Sequence, residues 1–560
     1  MIPAKLTEKV RILLSQETGT IRKPHGERLS FALAFPNTYW VGMSSLGFQL
    51  VYAMLNAIPD VVCERVFLPE PDEETLLRRA RSRLFTLESQ TPVSEFDALA
   101  FSIYFEMDYL NVLKTLSLSG LPLLASERDE SHPLALAGGP CATFNPEPLA
   151  EFVDAFVIGE AEDAIPEIVD ILRSAGGAPR MKLLERLANV AGVYVPRFYT
   201  PTYRGDGSVE GIEVAQGIPA RVTRRRTADL GSHKGTSAIL TPNTEFAEMR
   251  LTEVIRGCGR QCRFCAAGYT SLPPRPRKVE LSDDASRVGL VGSAVFDHPG
   301  AQAICEEMVG QGRGFSVSSI RLETLTRELA ELMRRGGQET ITLAPEAGTE
   351  RLRRVINKAT TDAQIMDAVE IACSAGFKRV KLYFMVGLPT ETEDDVAATG
   401  ALAGRIAAKF TSLNIQLSVS CYVPKPWTPF QWAPMATERE LSAKINRLKA
   451  VVVGNRQVKM SAESPRMSVV QGWLARGDRR LALALARALE SGSYARGIEQ
   501  SGLDPSFYTR RERGLDEVFP WDHIDLGVKK EYLRREYQRA FEGATTPPCD
   551  PPRCRRCGVC

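Results

Sequence analysis

The chain has 560 residues, 44% hydrophobic and 25% charged, with a net charge of +2, which is the composition of an ordinary globular protein large enough for three or four domains. So even a charge balance excludes a global electrostatic pull towards nucleic acid, membrane or acidic partners. No run of 18 apolar residues offers a membrane span, and the first residues lack the apolar stretch and cleavage site of a secretory signal, so the expected address is the cytoplasm and no membrane partner is expected.

In chain order, residues 1–28 read as a short helical lead-in. Residues 29–175 alternate strands (29–35, then DALAFSIY, PLALAGG and FVDAFVIG) with segments of helical periodicity, the rhythm of a mostly parallel sheet with helices on both faces. Residues 176–245 carry β-branched and aromatic alternation with turn signals and read as a β-rich linker. From 246 to 450 the βα rhythm resumes. A helix over 361–375 is expected there, with Thr361 and Gln364 as a capping box, Ile365, Ala368, Val369 and Ala372 as its inner face, and Gly376 as its C-terminal cap. A strand over 380–386 follows, and at least five such units predict an open or closed (β/α) barrel. Residues 451–540 read as helical, and residues 541–560 as a Cys- and Pro-rich tail whose order would need a metal.

The 12 cysteines are unevenly placed. Cys63, Cys141, Cys305, Cys373 and Cys421 are isolated, while the rest fall in two clusters, which in a reducing compartment argues for metal rather than disulfides. Cys258, Cys262 and Cys265 have the spacing C-x3-C-x2-C directly after a strand-like segment. Three soft thiolates suit an iron–sulfur cube and leave one iron open for a ligand. A zinc site would need a fourth ligand nearby, and no Cys or His occurs between 266 and 297. In the tail, Cys549, Cys554, Cys557 and Cys560 can saturate one centre, and both an auxiliary [4Fe–4S] cluster and zinc fit them.

Other features are weaker. Arg476, Arg479, Arg480, Arg487, Arg510, Arg511 and Arg513 concentrate basic charge, as do Arg553, Arg555 and Arg556 in the tail, in the manner of an RNA-facing patch. Interleaved acids make a solvated helical surface the better reading. His523, beside Trp521 and Asp522, reads as a structural hydrogen-bonder.

The central cysteine motif, with Phe264 just before its third cysteine, resembles the radical S-adenosylmethionine (radical SAM) signature, in which the open iron binds SAM. The resemblance implies SAM contacts from Phe264, from Gly292 and Ser293 after the second strand (where the family's usual Glu is missing), from Glu346 towards the ribose, and from Gly387 towards adenine. Asn37-x-Tyr39-x-x-Gly42 keeps the spacing of the Asp-x-His-x-x-Gly loop of cobalamin-binding domains but lacks the cobalt-ligating His. With Ser102, Gly138 and Gly139 it forms a candidate cobalamin site, and a purely structural α/β domain is the alternative. A methylthiotransferase would need three cysteines in this domain, and only Cys63 and Cys141 are present.

From 138–162 through 344–358, 423–432, 474–480 and 515–528 to the tail, the chain is similar to a bacterial family of radical SAM proteins with a B12-binding-type domain. The resemblance implies an α/β protein: an N-terminal Rossmann-like, cobalamin-binding-like domain, a radical SAM partial barrel, then a helical region and the Cys tail. It implies an enzyme that cleaves SAM reductively with a [4Fe–4S] cluster, with methylation through cobalamin among its candidate reactions. A reducing partner of flavodoxin or ferredoxin type follows. No motif fixes the substrate, with RNA and protein among the candidates. A non-catalytic iron–sulfur or zinc protein that binds RNA or senses redox state is the alternative class.

Overall fold

A computed structural model describes residues 2–279, 281, 285–551 and 553–560. The chain forms two compact units. The first comprises 1–250, 474–505 and 516–526, and the second 251–473, 506–515 and 527–560.

The first unit is built on a sheet of β1 (Leu29–Phe35), β2 (Val61–Phe67), β3 (Ala98–Ser102), β4 (Leu134–Gly138), β5 (Ala155–Val157) and β6 (Val193–Tyr194), in spatial order 2-1-3-4-5-6. The first five are parallel and β6 is antiparallel to β5. β1 and β2 are buried almost throughout: β1 as the apolar run that a strand covered on both faces needs, β2 with Glu64 and Arg65 buried along with its apolar residues. The order 2-1-3-4-5 reverses between β1 and β3, and such a switch point opens a crevice at the strands' C-terminal ends.

Two polar devices fix that edge. Arg65 of β2 is fully buried, donating a bidentate pair of hydrogen bonds to Glu17 at 2.7 Å each and a third to Glu88 at 2.6 Å, so the lead-in helix Ala4–Ser15 and the turn after it are tied to the sheet. At the switch point, Asn37 Nδ2 donates to Asp108 Oδ1 at 2.9 Å, and Asn111 Nδ2 donates to the same oxygen at 3.1 Å.

The segment read as a β-rich linker belongs to the first unit and starts with a helix, Arg180–Ala188, because Leu184, Leu187 and Ala188 recur at helical spacing and are buried. The hairpin Tyr199–Tyr203/Val209–Val214 supplies the expected β structure. Residues 451–540 are divided between the units, and the first element that starts within them is a strand.

That strand completes the second unit's open barrel: β7 (Met249–Arg256), β8 (Arg287–Gly292), β9 (Gly314–Val317), β10 (Thr340–Glu346), β11 (Arg379–Val386), β12 (Asn414–Cys421) and β13 (Val458–Ala462). The strands form two sheets, β7-β8-β9 with a short antiparallel strand beside β7, and β10-β11-β12-β13. A parallel bridge between Ile320 and Leu343 joins them. The expected helix runs Asp362–Ser374 with the Thr361/Gln364 capping box formed and the four expected residues buried. Gly376 follows at φ +88°. No helix among the described residues is long and apolar enough to cross a membrane.

Burial pushes the Asp108 carboxyl up to about 6, against the two amide donors. A carboxyl raised in the folded state contributes stability that is intact below its unfolded range and lost as pH rises through about 6, about 3 kcal/mol in all. Asp108→Asn keeps an amide oxygen for Asn37 and removes the ionisation. We expect it to raise the melting temperature at about pH 8 and leave it unchanged at about pH 4, read from thermal unfolding at both.

Candidate active site at the cysteine loop

The cysteines lie on irregular backbone between β7 and the short helix Ala267–Thr270. The loop leaves β7 through Gly257 at φ +84°, where a Cβ would stand 2.1 Å from the Ser271 carbonyl oxygen, so only glycine makes this turn. Buried Gln261 is left-handed too, at φ +57°. Its carbonyl oxygen accepts from Tyr269 Oη at 2.9 Å and from Asn357 Nδ2 at 3.2 Å, and Tyr532 Oη donates to its Oε1 at 2.7 Å. Arg263, between the second and third cysteines, is fully buried. Its guanidinium donates to Glu536 Oε2 at 3.0 and 3.2 Å and to the carbonyls of Arg354, Val355 and Ala544, and its backbone N–H donates to Ile356 O at 3.0 Å.

Each thiol of the loop is influenced by burial and by its neighbours. Burial pushes all three up, Cys262 to about 12. Against that, the backbone N–H of Arg260 favours a thiolate at Cys258, and those of Ala267 and Gly268 favour one at Cys265. The three sulfurs feel one another's charge, Lys358 favours a thiolate at Cys262, and Arg321 and Arg260 do so at Cys258. Among the described residues, no three Cys, His, Asp or Glu side chains form a group that could hold a single metal ion. The donor set nevertheless fits an iron–sulfur cube: three soft thiolates on one loop, and cations to balance an anionic cluster. Cys258, Cys262 and Cys265 would hold it, and when bound it would supply one electron at a time to a ligand such as SAM.

The other expected site residues are placed as follows. Phe264 is half-buried and Ser293 exposed. At Gly292 a Cβ would meet Ile255 of β7 at 2.6 Å. Glu346 ends β10 at φ +69°, beyond an irregularity in the register, and its carboxylate pairs with Lys358 Nζ at 3.1 Å. A non-glycine residue held there costs about 1–3 kcal/mol and marks a constrained position. At Gly387 (φ +86°) a Cβ would meet Leu441 at 2.7 Å, and the Gly387 N–H donates to Glu391 Oε2 at 2.7 Å, so this glycine accommodates its own neighbours.

In the first unit, Tyr39 Oη donates to Glu17 Oε1 at 2.5 Å and lies 3.2 Å from Thr241 Oγ1, so the hydroxyl in the place of the missing His is engaged. A Cβ at Gly42 would meet the Phe67 ring at 2.3 Å, and one at Gly139 (φ +102°) the Ile103 carbonyl oxygen at 2.6 Å. Ser102 is buried at the end of β3, paired in register with Gly138.

Several residues that matter here escaped the sequence reading. Lys358 closes a recognised motif, yet nothing in one dimension puts it beside Cys262 and Glu346. Arg260 pairs with Asp297 at 2.7 and 3.0 Å, and Arg321 lies 3.6 Å from the same carboxylate. The arginine-rich stretch is not a solvated surface throughout. Arg476 and Arg513 are buried, and Arg479 pairs with Glu147, which also accepts from Tyr194 and lies 3.7 Å from buried His523.

Two variants test the site. Arg263→Ala leaves Glu536 and three carbonyls buried without their donor, so we expect a loss of about 3–5 kcal/mol in stability and of iron on desalting. Lys358→Met removes a cation beside the thiolates. It should lower the cluster's reduction potential by about 1 kcal/mol, on the order of 40 mV for one electron, in a spectroscopic redox titration.

Comparison with known proteins bears on this geometry. Residues 252–403 match the radical SAM superfamily, and residues 47–196 match the family described as radical SAM proteins, N-terminal. An uncharacterised protein of Methanocaldococcus jannaschii is 27% identical over 493 residues, 86% of this chain and 96% of that protein. An uncharacterised methyltransferase of Pyrococcus horikoshii is 24% identical over 298 residues, 50% of this chain and 59% of its own length. The solved structure of TsrM, a radical SAM methyltransferase from Kitasatospora setae with cobalamin and a [4Fe–4S] cluster bound, is 12% identical with a TM-score of 0.49, over 85% of this chain and 98% of that one. The cysteine loop falls at the start of the 252–403 match, which carries with it a [4Fe–4S] cluster, SAM and the need for a reductant. With its loop of three thiolates on a (β/α) barrel and an N-terminal α/β unit of the kind that precedes such barrels, the chain carries two radical SAM family domains and is a radical SAM enzyme.

Proposed function

We propose that this enzyme methylates a carbon of its substrate, with cobalamin carried by the first unit and SAM by the second, as a member of the bacterial radical SAM family with a B12-binding-type domain. One observation carries the reading. At the switch point, the segments after β1 and β3 expose Trp40, Val41, Tyr104 and Phe105, at 49%, 41%, 41% and 46%. Exposed aromatic side chains grouped at such a crevice suit a flat ring system. Similarity to the uncharacterised methyltransferase of Pyrococcus horikoshii supports the reaction class.

The tips around Asn37, Tyr39, Gly42, Ser102, Gly138 and Gly139 would hold the cofactor. Tyr39 would not ligate cobalt, because its hydroxyl is bound to Glu17 and Thr241. When bound, cobalamin would supply a transferable methyl group. The chain's own task is to keep water from the reacting groups, to orient SAM with Glu346 and Lys358, and to hold the cluster with Cys258, Cys262 and Cys265.

The test is anaerobic reconstitution with iron, sulfide and cobalamin, followed by gel filtration and a visible spectrum. Wild-type protein should retain cobalamin, and Trp40→Ala should weaken its binding by about 1–2 kcal/mol, roughly tenfold. With SAM and reductant, both 5′-deoxyadenosine and S-adenosylhomocysteine should form, and 5′-deoxyadenosine should vanish in Cys258→Ala. A wild-type protein that takes up iron but no cobalamin, and makes 5′-deoxyadenosine alone, overturns the methylase reading and leaves the radical one standing.

A further inference from the structure

The tail packs on the back of the cysteine loop. The Cys549 N–H donates to the Gly259 carbonyl oxygen at 2.7 Å, and Gly259 is bonded directly to Cys258. A Cβ at Gly259 would stand 3.3 Å from the Cys549 Cβ, so the absence of a side chain there lets the two segments meet. Asn357 joins the same pair a second time: its Nδ2 donates to Gln261 O at 3.2 Å and its Oδ1 accepts from Thr546 N at 2.8 Å. Glu536, which holds Arg263 of the loop, also accepts from Thr546 Oγ1 at 2.6 Å.

The four tail thiols have an inner and an outer side. Cys557 is buried, and its carbonyl accepts from Lys529 N at 2.9 Å. Cys549 lies against Gly259. Cys560 is exposed, and Cys554 is flanked by exposed Arg553 and Arg555. Arg556 Nε donates to Cys554 Sγ at 3.2 Å, and its Nη2 holds the carbonyls of Pro547 and Pro548 at 2.6 and 2.9 Å.

We propose that Cys549, Cys554, Cys557 and Cys560 hold a second iron–sulfur cluster, and that this cluster is the electron entry port for the Cys258–Cys262–Cys265 centre. The inference rests on the radical SAM reading of that centre. A zinc clip would need only four thiolates. It would not need one edge at the surface among arginines and the other a single hydrogen bond from the loop of a redox centre. Arg553 and Arg555 suit a small acidic one-electron carrier of the flavin or iron–sulfur class, because opposite charges steer encounter. One electron leaves the carrier, passes through the tail to the loop, and there breaks one carbon–sulfur bond of SAM. The products are methionine and a 5′-deoxyadenosyl radical, and every SAM cleaved in this way consumes one electron from the carrier.

The test uses the full chain, reconstituted anaerobically. Iron, sulfide and zinc are measured in wild type and in Cys554→Ala/Cys557→Ala/Cys560→Ala, and reduction of the centres is followed by electron paramagnetic resonance. We expect the triple variant to lose half its iron and sulfide, and a reduced acidic ferredoxin or flavodoxin to fail to reduce the centre that remains. Since the triple variant disturbs a packed segment, Arg553→Glu/Arg555→Glu provides a second arm with every thiol in place. Its reduction by the acidic carrier should slow by about tenfold and lose its salt dependence, with photoreduced deazaflavin as the uncharged control. Zinc in the wild-type tail overturns the proposal, as does iron unchanged in the triple variant. Carrier-driven reduction of the remaining centre at the wild-type rate overturns the relay. Failure of the radical SAM reading shows separately, as a wild-type spectrum that SAM does not perturb.

Discussion

A guanidinium shut inside the cysteine loop is the interaction on which the second unit depends. Loop backbone taken out of water must find partners for its polar groups, and three cysteines with a glycine turn cannot provide them. Arg263 offers donors in a rigid planar fork, and the chain surrounds it with one carboxylate and three carbonyls. Those acceptors come from residues 354–355, 536 and 544, far apart in sequence. The end of the fourth barrel strand's helix and the C-terminal helix Lys530–Phe541 are thereby gathered around the thiols before any metal binds.

Charge follows from that enclosure. Buried thiols resist ionisation, so the loop is close to neutral without metal, and cluster assembly must expel protons. The cations near it are themselves paired: Arg260 with Asp297, Arg321 with Asp297 and Glu323, and Lys358 with Glu346. Their positive ends thus stay fixed beside sulfur in both charge states of a cluster, at little reorganisation cost.

The sequence was most legible where local chemistry decides structure. The Thr361–Gln364 capping box, the four buried positions of the following helix and its glycine stop all depend on neighbours within one or two turns. The cysteine spacing likewise has few physical readings. Long-range encounters were not legible. Arg476 and Arg513 look like surface residues in a basic helical stretch, and both are buried. Gly387 sits at a strand end where a ligand is easily imagined, and the space its side chain would fill belongs to Leu441. Strand Val458–Ala462 hides behind a β-branched run that continues a helix, because its identity as a strand comes from pairing with β12.

The pairing of Ile524–Asp525 with Val222–Thr223 means that the first unit is assembled from three separate stretches of chain. During synthesis its parallel sheet emerges early, yet its final stretch leaves the ribosome only after almost the whole barrel has been made. Contacts of such sequence separation close late, at an entropic cost that grows with the intervening loop. A fragment ending near residue 250 would therefore expose the surfaces meant for residues 474–505 and 516–526. The natural cut between the two matched families is a poor place to divide this protein into pieces.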